Sequence, residues 1–174
     1  MLGPNYHIKE LALSVRSARD TSEHPVYFDR EHILSQERLE IILKTTSYSP
    51  SFFSGGYRRA DNFKNAYCIV LDVDSPDLPL NTIIKTLKEL DIVAIITTSK
   101  NHQKIKSGIK CDRYHIILPT HEPITTPEGY KRSCQAASED ICQGLDDRKC
   151  HDAARFFFPS GENSEIIYFE GKYA

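Results

Sequence analysis

Ala66-Tyr67-Cys68-Ile69-Val70-Leu71-Asp72-Val73-Asp74 is the stretch whose reading decides the fold. It opens as an apolar run of strand length and closes on two acids one residue apart. Side chains alternate along a strand, so Asp72 and Asp74 share a face at the edge of a core. Two carboxylates ~7 Å apart at an effective dielectric of ~20 repel by about 2 kcal/mol. A divalent cation removes that cost, and paired acids at a strand end suit Mg²⁺ or Mn²⁺ held over a phosphate. The competing reading is turn chemistry, because Asp often ends strands and Asp74-Ser75-Pro76-Asp77 is a turn sequence.

Downstream, residues 79–90 read as a helix. Leu80, Ile83, Ile84, Leu87 and Leu90 fall on one face, and Pro79 suits the first turn. Residues 92–98 form a second apolar strand, making a βαβ-like unit from 70 to 98. A polar loop over 101–110 leads to a strand over 113–118, ended by Pro119. Thr126 caps a helix over 127–143, with Tyr130, Cys134, Ala137 and Ile141 inward and Gly144 as the stop. Residues 155–158 and 166–169 read as short strands joined in a hairpin by Pro159-Ser160-Gly161-Glu162-Asn163.

Upstream, residues 36–43 read as a helix with Leu39, Ile42 and Leu43 as its stripe. Residues 45–56, rich in Ser, Pro and Gly, read as a loop. Residues 1–30 read as polar and irregular, with a short helix or strand over 10–16. The expected class is α/β (α+β), with one mixed central sheet flanked by helices.

A chain of 174 residues suits one domain, here an N-terminal lobe over 1–56 and a motif-bearing core over 57–161. No apolar stretch reaches the roughly 20 residues a bilayer requires, and no signal-peptide layout opens the chain, so a cytoplasmic protein without membrane contact is expected. Five cysteines, an odd number with no close pair, argue against a disulfide framework and a CxxC zinc site. Cys68 reads as a small core hydrophobe. Cys111, Cys150 and His151 could meet around a metal, or be unrelated. The net charge of −2 announces no coat for duplex DNA, so any polyanion contact must be local.

Such a local patch exists. Lys100, Lys104, Lys106, Lys110 and Arg113 face a single acid, Asp112, between 100 and 115. A solvated loop is the ordinary reading of such a run. Arg113-Tyr114-His115 is sharper, since on a strand Arg113 and His115 share a face opposite Tyr114, Ile116 and Leu118. A guanidinium beside an imidazole fits a triphosphate, although His115 alone could be a satisfied core histidine. In Leu145-Asp146-Asp147-Arg148-Lys149-Cys150-His151-Asp152-Ala153-Ala154-Arg155, Asp147 is the candidate third carboxylate for a two-metal site. Asp152 is expected to pair with a base or cap the turn. Phe156, Phe157 and Phe158 have the look of base-stacking aromatics, but three in a row must be mostly core.

In this order the three clusters resemble the archaeo-eukaryotic primase (AEP) superfamily of primase-polymerases. That pattern has an apolar strand ending Asp-x-Asp, then a strand with His before apolar residues, then a late acid. Here those are Leu71-Asp72-Val73-Asp74, Arg113-Tyr114-His115-Ile116-Ile117-Leu118-Pro119 and Leu145-Asp146-Asp147. The spacing of Asp147, Cys150, Asp152 and Arg155, and the segment Tyr57-Arg58-Arg59-Ala60-Asp61-Asn62-Phe63, resemble the phage and plasmid branch. Many members carry Ser where this chain has Arg113.

The resemblance implies an RRM-like catalytic core that joins nucleoside triphosphates (NTP or dNTP) on a single-stranded DNA template. Two Mg²⁺ or Mn²⁺ ions would be held by Asp72, Asp74 and Asp147. Arg113, His115 and Lys100 would grip the triphosphate, and Arg155 would contact it or brace Asp147. Arg58, Arg59, Lys104, Lys106 and Lys110 would meet the template backbone. No helicase or zinc-ribbon segment is seen, so a helicase or other replication module is an expected partner. Two other readings stay open: a two-metal nuclease or phosphohydrolase using the same acids, and a non-catalytic module that binds single-stranded nucleic acid.

Overall fold

The computed structural model describes residues 11–33 and 35–173. In chain order the elements are β1 (Ala12–Arg16), β2 (Phe28–His32), α1 (Gln36–Thr45), β3 (Tyr48–Ser49), β4 (Ser51–Phe53), β5 (Phe63–Val73), α2 (Leu80–Leu90), β6 (Ala94–Thr98), β7 (Ile105–Lys106), β8 (Ile109–Lys110), β9 (Tyr114–Ile124), α3 (Pro127–Cys142) and β10 (Ile166–Phe169).

The centre is a five-stranded sheet in the order β10-β6-β9-β5-β4, antiparallel at every pairing. The α/β class is as expected. The βαβ-like unit is present, but β9 inserts between β5 and β6 and pairs with both, so the two parallel strands never touch. One face carries Ile69, Leu71, Val73, Tyr114, Ile116 and Leu118 against α2 and α3. The other carries Cys68, Val70, Ile95 and Ile117 against α1 and β1. Both faces of β5 and β9 are therefore buried, which is why β5 reads as a continuous apolar run.

The helices start where their caps place them. Ser35 accepts from the Arg38 N–H and Thr126 from the Gly129 N–H. Leu39, Ile42 and Leu43 are the buried stripe of α1. In α2, Leu80, Ile83 and Leu87 are buried, whereas Leu90, the last residue of the helix, is 44% exposed. At the end of α3, Gln143 and Gly144 both adopt left-handed backbone conformations.

Four expectations are corrected. Residues 45–56 are not a loop. β3 and β4 lie here, with Ser49 and Ser51 fully buried: the Ser49 hydroxyl donates to the Arg155 carbonyl and the Ser51 carbonyl accepts from Ser14, while the Ser51 hydroxyl has no partner among the described residues. Of the expected irregular stretch, residues 1–10 lie outside the described residues, and residues 11–30 are not all irregular, since β1, β2 and β3 form a second sheet in the order β2-β1-β3. β9 does not stop at Pro119: β6 pairs with Tyr114–Ile117 only, so the missing N–H falls past that neighbour, near a register shift against β5. Residues 155–158 and β10 are not a hairpin; Phe157 bridges Tyr48 instead, and β10 pairs with β6. The loop over 101–110 contains the short β7–β8 hairpin. β4 and β10 lie outside 57–161 yet form the two edges of the central sheet. Among the described residues no helix is long and apolar enough to cross a membrane.

Candidate functional site

At the C-terminal end of β5, Asp72 pairs across the ladder with His115 of β9. Tyr114, Ile116 and Leu118 turn to the opposite face, so Asp72, Asp74, Arg113 and His115 project together. They open into a cleft of about 220 Å³ that is also lined by Ser99, Lys100, Asn101, Lys106, Arg155 and residues 156–160. The strand alternation thus brings together two of the expected acids, the expected histidine and Arg113, and the surrounding segments add Lys100, Lys106 and Arg155.

His115 is nearly buried. Its Nδ1 lies 3.0 Å from the Tyr48 hydroxyl, and its Nε2 lies 3.6 Å from the Asp72 carboxylate. Burial pushes its pKa below the usual histidine value, against the pull of Asp72, and Arg155 adds to the depression. Tyr48 is wholly buried, and burial together with Asp72 raises its pKa well above the ordinary phenol value, so it stays a hydrogen-bond donor. A neutral imidazole accepting at Nδ1 carries its proton on Nε2, the nitrogen near Asp72. Phe157 stacks on Tyr48 at 5.5 Å and packs against the imidazole at 4.9 Å. Tyr48 carried no local signal in the sequence, since it acts on His115 from 67 residues away.

Arg113 has different work from the triphosphate contact expected of it. It is 4% exposed. Its Nε donates to Asp74, its Nη1 to the Asn101 and Lys104 carbonyls, and its Nη2 to the Ile109 carbonyl. A guanidinium so occupied braces the 99–112 loop and Asp74 rather than waiting for a ligand. The Lys106 Nζ reaches the other Asp74 oxygen at 2.6 Å. Partial burial pushes the Asp74 carboxyl up, but the hydrogen bonds and charges of Lys106 and Arg113 outweigh it, and the net shift is downward.

The late acid is close in backbone and apart in side chain. The Asp147 N–H donates to the Asp72 carbonyl at 2.8 Å. Its carboxylate accepts from the Lys149 N–H, capping the turn at Arg148–His151, and does not line the cleft. Among the described residues Asp72, Asp74 and Asp147 do not form a group with ligand atoms within 4.8 Å of one another. The expected three-acid constellation is not assembled here, because the Asp147 side chain serves the turn and the Asp74 oxygens serve Lys106 and Arg113. The donor set of Asp72 and Asp74, two carboxylates open to one cleft, still fits a hard divalent cation.

Arg155 is the second arginine of the cleft. It lines the cleft, and its Nε is buried without a hydrogen-bond partner among the described residues. That is an unused donor where an anion could bind. Lys100 also lines the cleft and is exposed. Of the expected template contacts, Arg58 does not present a free guanidinium. It donates to the Pro25 and Ala154 carbonyls and lies 4.5 Å from the Phe156 ring, and burial lowers its pKa. Arg59 pairs with Asp61. Lys104 and Lys110 are exposed on the hairpin loop, and Lys106 points back to Asp74. Of the three phenylalanines, Phe157 is core, Phe156 lies under Arg58, and Phe158 is 57% exposed at the cleft.

A second cleft of about 740 Å³ adjoins the first through shared Arg155 and Phe156. Asp152 accepts from the Ala154 N–H there, as a turn cap. All five cysteines are free and buried. Cys111 lies by Asp74, away from Cys150 and His151, whose neighbour is Asp146.

Neither a protein-family profile nor a curated protein sequence matches the chain. Among solved structures it is similar to the AEP domain of the primase-polymerase (PrimPol) of cyanophage S-2L. The TM-score is 0.49 and the identity 11%, over 94% of this chain and 83% of that one. A likeness of that size assigns neither family nor activity.

Proposed function

We infer that this chain is a template-dependent nucleotidyltransferase of the primase-polymerase kind, joining nucleoside triphosphates on single-stranded DNA. The observation that carries this reading is the cross-strand pair Asp72–His115, with Asp74 and Arg155 lining the same cleft. The sequence motifs quoted above support it independently.

In this reading Asp72 and Asp74 hold Mg²⁺ or Mn²⁺, and Asp147 would serve as third acid for a second ion only once its carboxylate leaves the Lys149 N–H that it caps. Such ions would lower the pKa of the attacking 3′-hydroxyl and neutralise the departing pyrophosphate. Binding there requires Lys106 to leave Asp74, so Lys106 becomes free to meet phosphate as the ion enters. His115 offers its Nε2 proton to a phosphate oxygen, held in that tautomer by Tyr48. Arg155 supplies its unused Nε–H, and Lys100 adds charge at the rim. Arg113 keeps Asp74 and the hairpin loop in place. The exposed Lys104, Lys110 and Arg59 are the remaining template contacts, with salt-sensitive affinity.

One observation favours a second reading. Lys106 and Arg113 already neutralise Asp74, which suits a non-catalytic module that binds single strands. Incubation with labelled nucleotides, an unprimed single strand and Mn²⁺ separates the possibilities. Extension products that vanish in Asp72→Asn are expected. Shortening of the strand would indicate a nuclease. Binding without any turnover, unaltered by Asp72→Asn, would indicate the module.

A further inference from the structure

We propose that Asp146, Cys150 and His151 form a structural zinc-type site that pins the strap carrying Asp147 to the end of β5. Their donor atoms lie within 4.8 Å of one another, and all three residues are buried. The Asp146 Oδ2 is 2.8 Å from the His151 Nε2 and 3.6 Å from the Cys150 Sγ. Bonds of ~2.0–2.3 Å to a tetrahedral ion place neighbouring ligand atoms roughly 3.3–3.7 Å apart, so the Asp146–Cys150 spacing already fits and the Asp146–His151 pair needs to open slightly to share one ion.

The electrostatics point the same way. The Asp146 side chain has no solvent exposure, and its partners are the Ser138 hydroxyl, the Cys150 thiol and the His151 ring. No Lys or Arg pairs with it among the described residues. A carboxylate buried that deeply calls for a cation. The donors are one oxygen, one nitrogen and one sulfur. That mixture selects Zn²⁺ over Mg²⁺ or Ca²⁺, which take oxygen ligands. On binding, the Cys150 thiol gives its proton to solvent as the S–Zn bond forms, and the Nε2 proton that His151 donates to Asp146 is displaced by the ion, leaving the ring protonated on Nδ1. His151 also borders the second cleft, which leaves a side from which water could supply a fourth ligand.

The location gives such an ion a purpose. The turn at Arg148–His151 covers the stretch of β5 edge that β4 leaves bare. The Asp147 N–H donates to the Asp72 carbonyl, and the Cys150 Sγ accepts from the Asp72 N–H at 3.4 Å. An ion on Cys150 would hold both bonds, and with them the backbone under Asp72. The proposed metal is separate from the catalytic ions and independent of whether the chain makes nucleic acid.

Metal-stripped protein titrated with Co²⁺, the spectroscopic stand-in for zinc, tests this. One equivalent should produce a near-ultraviolet thiolate-to-cobalt charge-transfer band, which one equivalent of Zn²⁺ then bleaches. The band should be lost in Cys150→Ser and kept in Asp72→Asn, because carboxylate sites give no sulfur band. No band in the wild type, or a band that survives Cys150→Ser, overturns the proposal. Should Cys150→Ser fail to fold, native thiol alkylation of the wild type decides. Zn²⁺ should slow modification at Cys150 and not at Cys68 or Cys134, and equal rates with and without Zn²⁺ overturn the site.

Discussion

The Tyr48 hydroxyl lies 3.0 Å from Nδ1 of His115, and when it donates there the imidazole carries its proton on Nε2, the nitrogen nearer Asp72. Tyr48 is anchored in turn by its backbone pairing with Phe157 and by the Phe157 ring. Tyr48→Phe keeps the packing and removes only the hydroxyl. Its cost in unfolding free energy should be about 1–3 kcal/mol, since a buried acceptor is left unpaired. Ring ¹⁵N shifts of His115 should move from one tautomer toward a mixture, and the nucleotide KM should rise more than kcat falls. An unchanged tautomer in Tyr48→Phe would remove Tyr48 from the site.

His115 makes the fold acid-sensitive in a defined window. Burial holds its folded-state pKa below the usual value near 6.5, so the unfolded chain takes up a proton before the native one does. Stability conferred by the neutral ring is complete above about pH 6.5. It is lost as pH falls from there toward the folded-state value, at up to about 1.4 kcal/mol per pH unit. Urea midpoints between pH 7.5 and 5 should decline less steeply in His115→Asn than in the wild type. Parallel profiles would contradict this.

Alternation and capping made much of this structure readable in the sequence. The apolar run through Leu71, the α1 stripe and the Thr126 cap are local signals, and each element forms where its residues predict. Period-two geometry pairs Asp72 with Asp74 and Arg113 with His115, and the Asp72–His115 register then turns both pairs to one face. What stayed hidden depends on partners far along the chain. Serine-rich β3 and β4 resemble a loop until the distant Ser14 hydroxyl and Arg155 carbonyl pair with the Ser51 carbonyl and the Ser49 hydroxyl. Arg113 resembles a phosphate ligand until three loop carbonyls occupy it. Asp146 and Asp147 are adjacent and identical, and nothing local says which of them is buried.

Arg113 should prove a brace. Arg113→Ala leaves Asp74 without its buried partner and frees the Asn101, Lys104 and Ile109 carbonyls. Breaking a buried charged pair costs about 3–5 kcal/mol, and Arg113→Lys should recover only part of it, because a point charge cannot replace the fork. Hydrogen exchange over 99–112 should quicken in both variants. A variant as stable as the wild type, with impaired nucleotide binding alone, would restore the ligand role.

Lys106 competes with any cation at Asp74. The pair is half-exposed, and such pairs are worth about 0.2–1 kcal/mol. Lys106→Ala should therefore tighten Mn²⁺ binding by a few-fold in an electron paramagnetic resonance titration. Asp74→Asn should abolish that gain. Identical Mn²⁺ affinity in the wild type and Lys106→Ala would mean that metal does not use Asp74.

Phe158 separates binding from folding. It is 57% exposed at the cleft, with its ring 5.0 Å from Phe156, whereas Phe157 is core. Phe158→Ala should shift stability by no more than about 0.5 kcal/mol, as surface substitutions do. Loss of one base-stacking ring should nevertheless weaken single-stranded DNA by about 1–3 kcal/mol. Fluorescence anisotropy with a labelled oligonucleotide at fixed salt measures this directly, with Phe157→Leu as the contrast that loses stability first. Full affinity in Phe158→Ala would move the strand away from this face of the cleft and leave Lys104 and Lys110 to carry it.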